Sequence, residues 1–113
     1  MRPLYHPPVG EITVEGILYA LSDPVRVHIY AEIAMSEWPQ MCSNFLKVDA
    51  RNVPKSTLSV HFRVLREAGL IRSERHGVEV RNQTRCADLQ ERFGPLVGSI
   101  IDAYRVQRQA ACK

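Results

Sequence analysis

The sequence predicts a mainly α-helical domain with one small β-hairpin, in the order helix, helix, short helix, helix, hairpin, helix. Three observations carry this. Apolar residues recur at helical spacing in several separate stretches, one stretch alternates at period two around a glycine, and Pro and Gly fall at the edges of the stretches. At 113 residues the chain has the size of one domain, long enough to bury a real core but not two. A hydrophobic content of 45% with 24% charged residues is that of a folded globular protein, not of a disordered or low-complexity one.

Residues 1–10 carry Pro3, Pro7 and Pro8, which fix φ and lack a backbone donor, so an extended arm without helix is expected there. The domain proper is expected over 11–109, with a tail over 110–113. In GEITVEGILYAL, Ile12, Val14, Ile17, Leu18 and Leu21 lie at mixed helical spacings. That gives the first helix more than one apolar face, and such a face needs a second partner. Ser22-Asp23-Pro24 then supplies an acceptor for orphan amides and a proline at a first helical position. The helix from Pro24 to about Met35 carries Val25, Ile29 and Ile33 on one face and Val27, Tyr30 and Ala34 on another, as a central buried element would. Trp38-Pro39 ends it.

MCSNFLKV, residues 41–48, is expected to form a short third helix, and Asp49 to Pro54 a polar connection. Ser56 or a neighbour is the expected cap of the fourth helix, whose Leu58, Phe62, Leu65 and Gly69 make one inward stripe. Gly69 suits a left-handed helix end. Two strands within Leu70 to Thr84, joined at His76-Gly77, follow from the glycine and from Val78 and Val80 at period two. Asp88 to Phe93 is expected to form one helical turn that stops at Gly94. The last helix then runs from Pro95 to about Gln109, with Leu96, Val97, Ile100, Ile101 and Tyr104 as one stripe.

Fifteen Lys plus Arg against twelve Asp plus Glu leave a net charge of only +3, yet between Arg51 and Arg85 eight basic residues face three acids. The excess falls on the fourth helix and the hairpin. A helix lying across its scaffold with one face free fits a DNA major groove about 12 Å wide, with the hairpin beside it. Ser56, Thr57 and Ser59 are small enough to let the backbone approach phosphates, and Arg63 and Arg66 can reach phosphate or a guanine edge. Arg75, His76 and Arg81 can reach adjacent phosphates or the minor groove. With Lys55 and Val60 these residues form the expected contact set for double-stranded DNA. RNA is disfavoured by the lack of an aromatic stacking platform. The sequence has no glycine-rich phosphate loop and no nucleophile, base and orienting group in a known pattern, so an enzyme is not expected. It has no apolar run near the roughly 18 residues of a membrane span and no secretory h-region, so no membrane partner and a cytoplasmic location are expected.

Ala20-Leu21-Ser22-Asp23-Pro24-Val25-Arg26, followed by Lys55-Ser56-Thr57-Leu58-Ser59-Val60-His61-Phe62-Arg63-Val64-Leu65-Arg66-Glu67-Ala68-Gly69-Leu70-Ile71, resembles the two signature stretches of the ArsR family of winged helix-turn-helix transcriptional regulators. Arg75-His76-Gly77 resembles that family's wing, and the likeness covers roughly residues 11–105. It implies a winged helix-turn-helix fold, a homodimer formed largely by the first and last helices, and a repressor of an inverted-repeat operator released by an inducer. Periodicity independently leaves those two helices with apolar faces lacking partners. The expected dimer residues are Ile12, Ile17 and Leu18 on the first helix and Leu96, Val97, Ile100, Ile101 and Tyr104 on the last.

Members of the family often sense metals or metalloids, which thiolates and imidazoles bind tightly in sets of three or four. Here Met41-Cys42-Ser43-Asn44 offers one thiol where the family has Cys-x-Cys, and Asp102 stands without a histidine between Pro95 and Lys113. No metal and no cofactor are expected, and the inducer stays unassigned. Cys42, Cys86 and Cys112 are an odd number at wide spacing, so no disulfide framework is expected. Cys42 reads as a small buried hydrophobe and Cys86 as a helix-entry residue. The sharper alternative is a redox-responsive repressor acting through Cys86 or Cys42, because Cys86 lies beside Arg85 near a helix start, where amide dipoles and a cation favour thiolate. A winged-helix protein-interaction module without DNA binding is the other alternative. The basic face argues against it.

Overall fold

Thr13 accepts a hydrogen bond from the Gly16 amide at 3.0 Å and so starts α1 (Val14–Leu21). Asp23 does the same for α2 (Pro24–Met35), its Oδ1 accepting from the amides of Val25 and Arg26 at 2.8 and 3.1 Å, with Pro24 where no amide is needed. The computed structural model describes residues 4–48 and 51–111; Cys112 and the end of the expected tail lie outside them. The remaining elements are β1 (Gln40–Met41), β2 (Lys47–Val48), β3 (Arg51–Asn52), α3 (Lys55–Glu67), β4 (Ile71–His76), β5 (Glu79–Thr84), α4 (Cys86–Phe93) and α5 (Leu96–Ala111). Single 3-10 turns occur at Val9–Glu11 and Cys42–Phe45.

This is the mainly helical, winged arrangement expected, with several local corrections. The short third helix over 41–48 shrinks to the turn Cys42–Phe45, because the residues on either side pair as strands. Gln40 and Met41 pair with Asn82 and Arg81, and Lys47 and Val48 with Asn52 and Arg51. Residues 4–8 of the expected arm lie in no helix or strand, and a 3-10 turn follows at Val9–Glu11. Ser56 does not cap α3: Pro54 holds the N-cap position with no side-chain cap bond, and Ser56 lies in the first turn. The hairpin loop is Gly77-Val78 rather than His76-Gly77, since His76 pairs with Glu79. Gly77 has φ +66, which a two-residue hairpin loop requires, and Val78 sits exposed at the tip instead of in a strand. The single turn expected over 88–93 is the longer helix α4, which begins at Cys86.

β5 lies between β1 and β4 in one antiparallel sheet, and β2 and β3 form a separate pair. Ile17, Ile29, Leu65, Leu70 and Ile71 are fully buried in one core. The Leu58, Phe62 and Leu65 stripe of α3 enters that core, where the Phe62 and Phe45 rings meet at a centroid distance of 5.7 Å. Two buried arginines tie elements together. Arg26 donates from Nε to the Ala20 carbonyl at 2.8 Å and from Nη2 to the Tyr19 carbonyl at 3.3 Å, satisfying the last carbonyls of α1. Its Nη1 stands 3.5 Å from His61 Nδ1 on α3. Arg85 donates to the Pro7 carbonyl at 2.7 Å and pairs with Asp88 at 3.1 Å, anchoring the arm to the start of α4.

Burial pushes the Asp23 carboxyl up, but the amides of Arg26 and Val25, with His61 and Arg26 nearby, outweigh it and hold the group below its usual range. A depressed carboxylate stabilises the fold above its unfolded-state pKa, and that contribution fades as pH falls through the folded value. Asp23→Ala is expected to cost about 1 kcal/mol at neutral pH, with the gap to the wild type in urea unfolding closing below about pH 4. Gly69 has φ +83, and a Cβ there would stand 2.5 Å from Ile12 Cδ1. Gly69→Ala is therefore expected to cost about 2 kcal/mol or more, read as a lowered Tm.

Candidate nucleic-acid interface

With Leu58, Phe62 and Leu65 turned inward, α3 presents Lys55, Ser56, Thr57, Ser59, Val60 and Arg63 to solvent. Ser56, Ser59, Val60 and Arg63 follow one another at i, i+3, i+4 and i+7, so they form a single row along the open face. Lys55 and Arg63 have no ion-pair partner among the described residues. The row therefore combines two short hydroxyls, one apolar contact and one cation on a rigid helix, with Lys55 at the helix start. Arg66 does not belong to it. That side chain is half-buried, donating from Nη1 to Ser73 Oγ at 3.3 Å on β4, and burial lowers its pKa.

Arg75, His76 and Arg81 are exposed on the hairpin. His76 Nε2 stands 3.4 Å from Glu74 Oε2, and Arg81 Nη2 stands 3.6 Å from Glu79 Oε2. Such surface pairs are weak and salt-screened, so they hold these side chains without locking them. The root of the hairpin is more strongly built. Asn82, fully buried, donates from Nδ2 to the Gln40 carbonyl at 2.8 Å and accepts at Oδ1 from Ser73 Oγ at 2.7 Å. The Ser73 amide donates to His6 Nε2 at 2.9 Å, and this acceptor role requires an unprotonated ring nitrogen. Burial, then Arg72, Arg66 and Arg85, hold the His6 pKa below its ordinary value. His61 is lowered too, by burial and Arg26 against the opposing pull of Asp23.

Sequence reasoning missed His6, Arg26, Gln40, Ser73 and Asn82. A usable signal existed for Asn82: it falls on the inward face of β5, two residues from Val80, where a polar side chain must find partners.

Of the expected dimer residues, Ile12, Ile17, Val97 and Ile101 are buried in the protomer's own core and are corrected to that role. Leu18 is 51% exposed, and Leu96, Ile100 and Tyr104 are half-buried. Val14, Tyr19 and Val106 add exposed apolar surface on the same two helices. Periodicity shows that a helix has an apolar face but not which part of it meets the chain's own core.

Cys42 is half-buried beside the Asn82 amide, whose Nδ2 lies 3.4 Å from its sulfur. Burial pushes this thiol up despite that hydrogen bond, which disfavours thiolate chemistry. Cys86 is exposed at the first position of α4, while the Arg85 guanidinium is engaged by Pro7 and Asp88. Among the described residues, no three His, Cys, Asp or Glu side chains are grouped to share a metal ion. With one thiol already bonded to an amide, the donor set at Cys42 does not fit a thiolate metal centre. Among the described residues no helix is long and apolar enough to cross a membrane.

Residues 21–74 match a family model described as a helix-turn-helix domain. The HTH-type transcriptional repressor SmtB of Mycobacterium tuberculosis is 40% identical over 76 residues, which are 66% of this chain and 53% of that protein. The chain thus spans about half the length of the curated relatives it matches. An ArsR-like transcriptional regulator from Rhodococcus sp. RHA1 superposes with a TM-score of 0.56 at 26% identity, covering 88% of each chain. Rv0081 of M. tuberculosis, with a TM-score of 0.59 at 21% identity over 92% of this chain and 98% of that one, shares the fold. The signature stretch at 55–71 lies inside the matched span and forms the helix with the open polar face, so this chain carries a helix-turn-helix domain in a winged fold similar to that of ArsR-like transcriptional regulators.

Proposed function

We propose that the chain acts as a homodimeric, sequence-specific DNA-binding repressor in the cytoplasm, released from an inverted-repeat operator by an inducer. One observation carries the DNA-binding part: Leu58, Phe62 and Leu65 of α3 are spent on one side, leaving the Ser56, Ser59, Val60 and Arg63 row open. That row enters the major groove, and Lys55 and Thr57 meet phosphate at the helix start. Arg75, His76 and Arg81 meet phosphate or the adjacent minor groove, His76 and Arg81 giving up Glu74 and Glu79 to do so. Dimerisation draws on Leu18, Leu96, Ile100 and Tyr104, with Val14, Tyr19 and Val106 extending the same apolar surface.

A second reading, release by oxidation at Cys86, is favoured by the exposure of that thiol. Cys42 supports it less, being half-buried and hydrogen-bonded.

Fluorescence titration with promoter DNA at several salt concentrations tests the main reading. Phosphate-dominated binding weakens steeply with salt, and Arg75→Ala is expected to lower the logarithmic slope by about one while weakening all sequences alike. Arg63→Ala or Ser59→Ala is expected to cost about 1 to 3 kcal/mol of specific binding where either touches a base edge. Salt-insensitive association, or no binding to DNA, would instead favour a winged-helix module that docks proteins. Light scattering is expected to give twice the protomer mass, with two recognition helices about 34 Å apart on the duplex.

A further inference from the structure

A cleft of about 450 Å3 opens between α2, α4 and α5, and none of its lining residues belongs to α3 or the hairpin. This is within the roughly 300 to 1,000 Å3 range of small-molecule sites. Leu89, Val97 and Ile101 form apolar wall, and Cys86, exposed, lines the same space. So does Tyr30, which is 2% exposed. Its hydroxyl has no hydrogen-bond partner among the described residues, yet no described side-chain oxygen is both unpaired and sealed from solvent. The Tyr30 hydroxyl therefore keeps some accessibility, and Tyr30 lines the cleft together with Cys86.

We propose that this cleft takes a small, apolar α,β-unsaturated carbonyl compound of the quinone or cyclic enone type, the Tyr30 hydroxyl donating to its carbonyl oxygen while the Cys86 thiol adds to its conjugated carbon. The sulfur–carbon bond forms as the carbon–carbon π pair shifts toward the carbonyl oxygen, where the phenol stabilises the developing charge. The thiol proton leaves to water and one proton returns from water to the adduct. The addition is therefore a net union of thiol and acceptor and needs no other reactant. Burial, with Cys86 nearby, holds the phenol well above its usual pKa, which keeps it a neutral donor. The inference rests on the regulator reading only for its consequence, that the adduct is the inducing event.

The test uses the full-length protein with one equivalent of 1,4-naphthoquinone, mapping adducts by peptide mass and measuring second-order rates. Addition is expected at Cys86 ahead of Cys42 and Cys112, and Cys86→Ser removes the fast phase. Tyr30→Phe is expected to slow the quinone reaction about tenfold or more, as loss of one transition-state hydrogen bond does. Its reaction with methyl methanethiolsulfonate, which carries no carbonyl, should change by less than about twofold. An unchanged Tm is expected for Tyr30→Phe, because the lost hydroxyl has no partner. Ala34→Phe, at an exposed lining position, provides a second variant that should slow the quinone by filling the cleft and spare the smaller reagent. Equal quinone rates in wild type and both variants, or adducts spread evenly over the three cysteines, would overturn the site. Adduct formation is expected to weaken binding to promoter DNA. If unmodified protein binds no DNA, the regulator reading fails while the addition rates still decide the cleft.

Discussion

Burial of Leu58, Phe62 and Leu65 sets the rotation of α3 about its own axis, and the candidate interface is what that rotation leaves outside. Each fully buried side chain of this size is worth about 1.5 to 3 kcal/mol, far more than any preference of an exposed Ser or Arg for one orientation. The polar row is thus held by apolar residues that never touch a ligand. Turning the helix to bury Val60 would drive Ser59 and Arg63 toward the core, where an unpaired guanidinium is prohibitively costly.

The angle between α3 and its neighbours depends on buried polar groups rather than on area. Arg26 closes the end of α1 through two carbonyls and reaches toward His61 on α3. Asn82 joins β1 to the root of the wing, and Ser73 links that root to Arg66 and, through its amide, to the arm at His6. Every buried side-chain nitrogen and oxygen in this part of the molecule has a partner among the described residues. Such networks are directional where apolar contacts are not, so they specify one relative placement of helix and wing. The same logic sets Tyr30 apart: it is nearly enclosed, and it lines a cleft that Cys86 also lines.

Apolar surface on α1 and α5 is divided between two uses. Ile17, Val97 and Ile101 belong to the core, whereas Val14, Leu18, Tyr19 and Val106 stay exposed. The first set makes a stable protomer, and the second is surface in excess of what one chain can cover. A stripe read along the sequence contains both sets without distinguishing them.

What the sequence determined by itself is local. The acceptors and proline at Asp23-Pro24, the inward stripe of α3, the left-handed glycines at 69 and 77 and the signature stretches at 20–26 and 55–71 all follow from residues within about one or two turns of each other. Tertiary structure alone decided the direction of Arg66, the replacement of the third helix by a turn between paired strands, and the division of apolar residues between core and surface. Those outcomes depend on partners far away in the chain, such as His6 with Ser73, 67 residues apart, and Pro7 with Arg85, 78 apart. No rule of local propensity or periodicity carries information over that separation, because the contact exists only once the chain has folded.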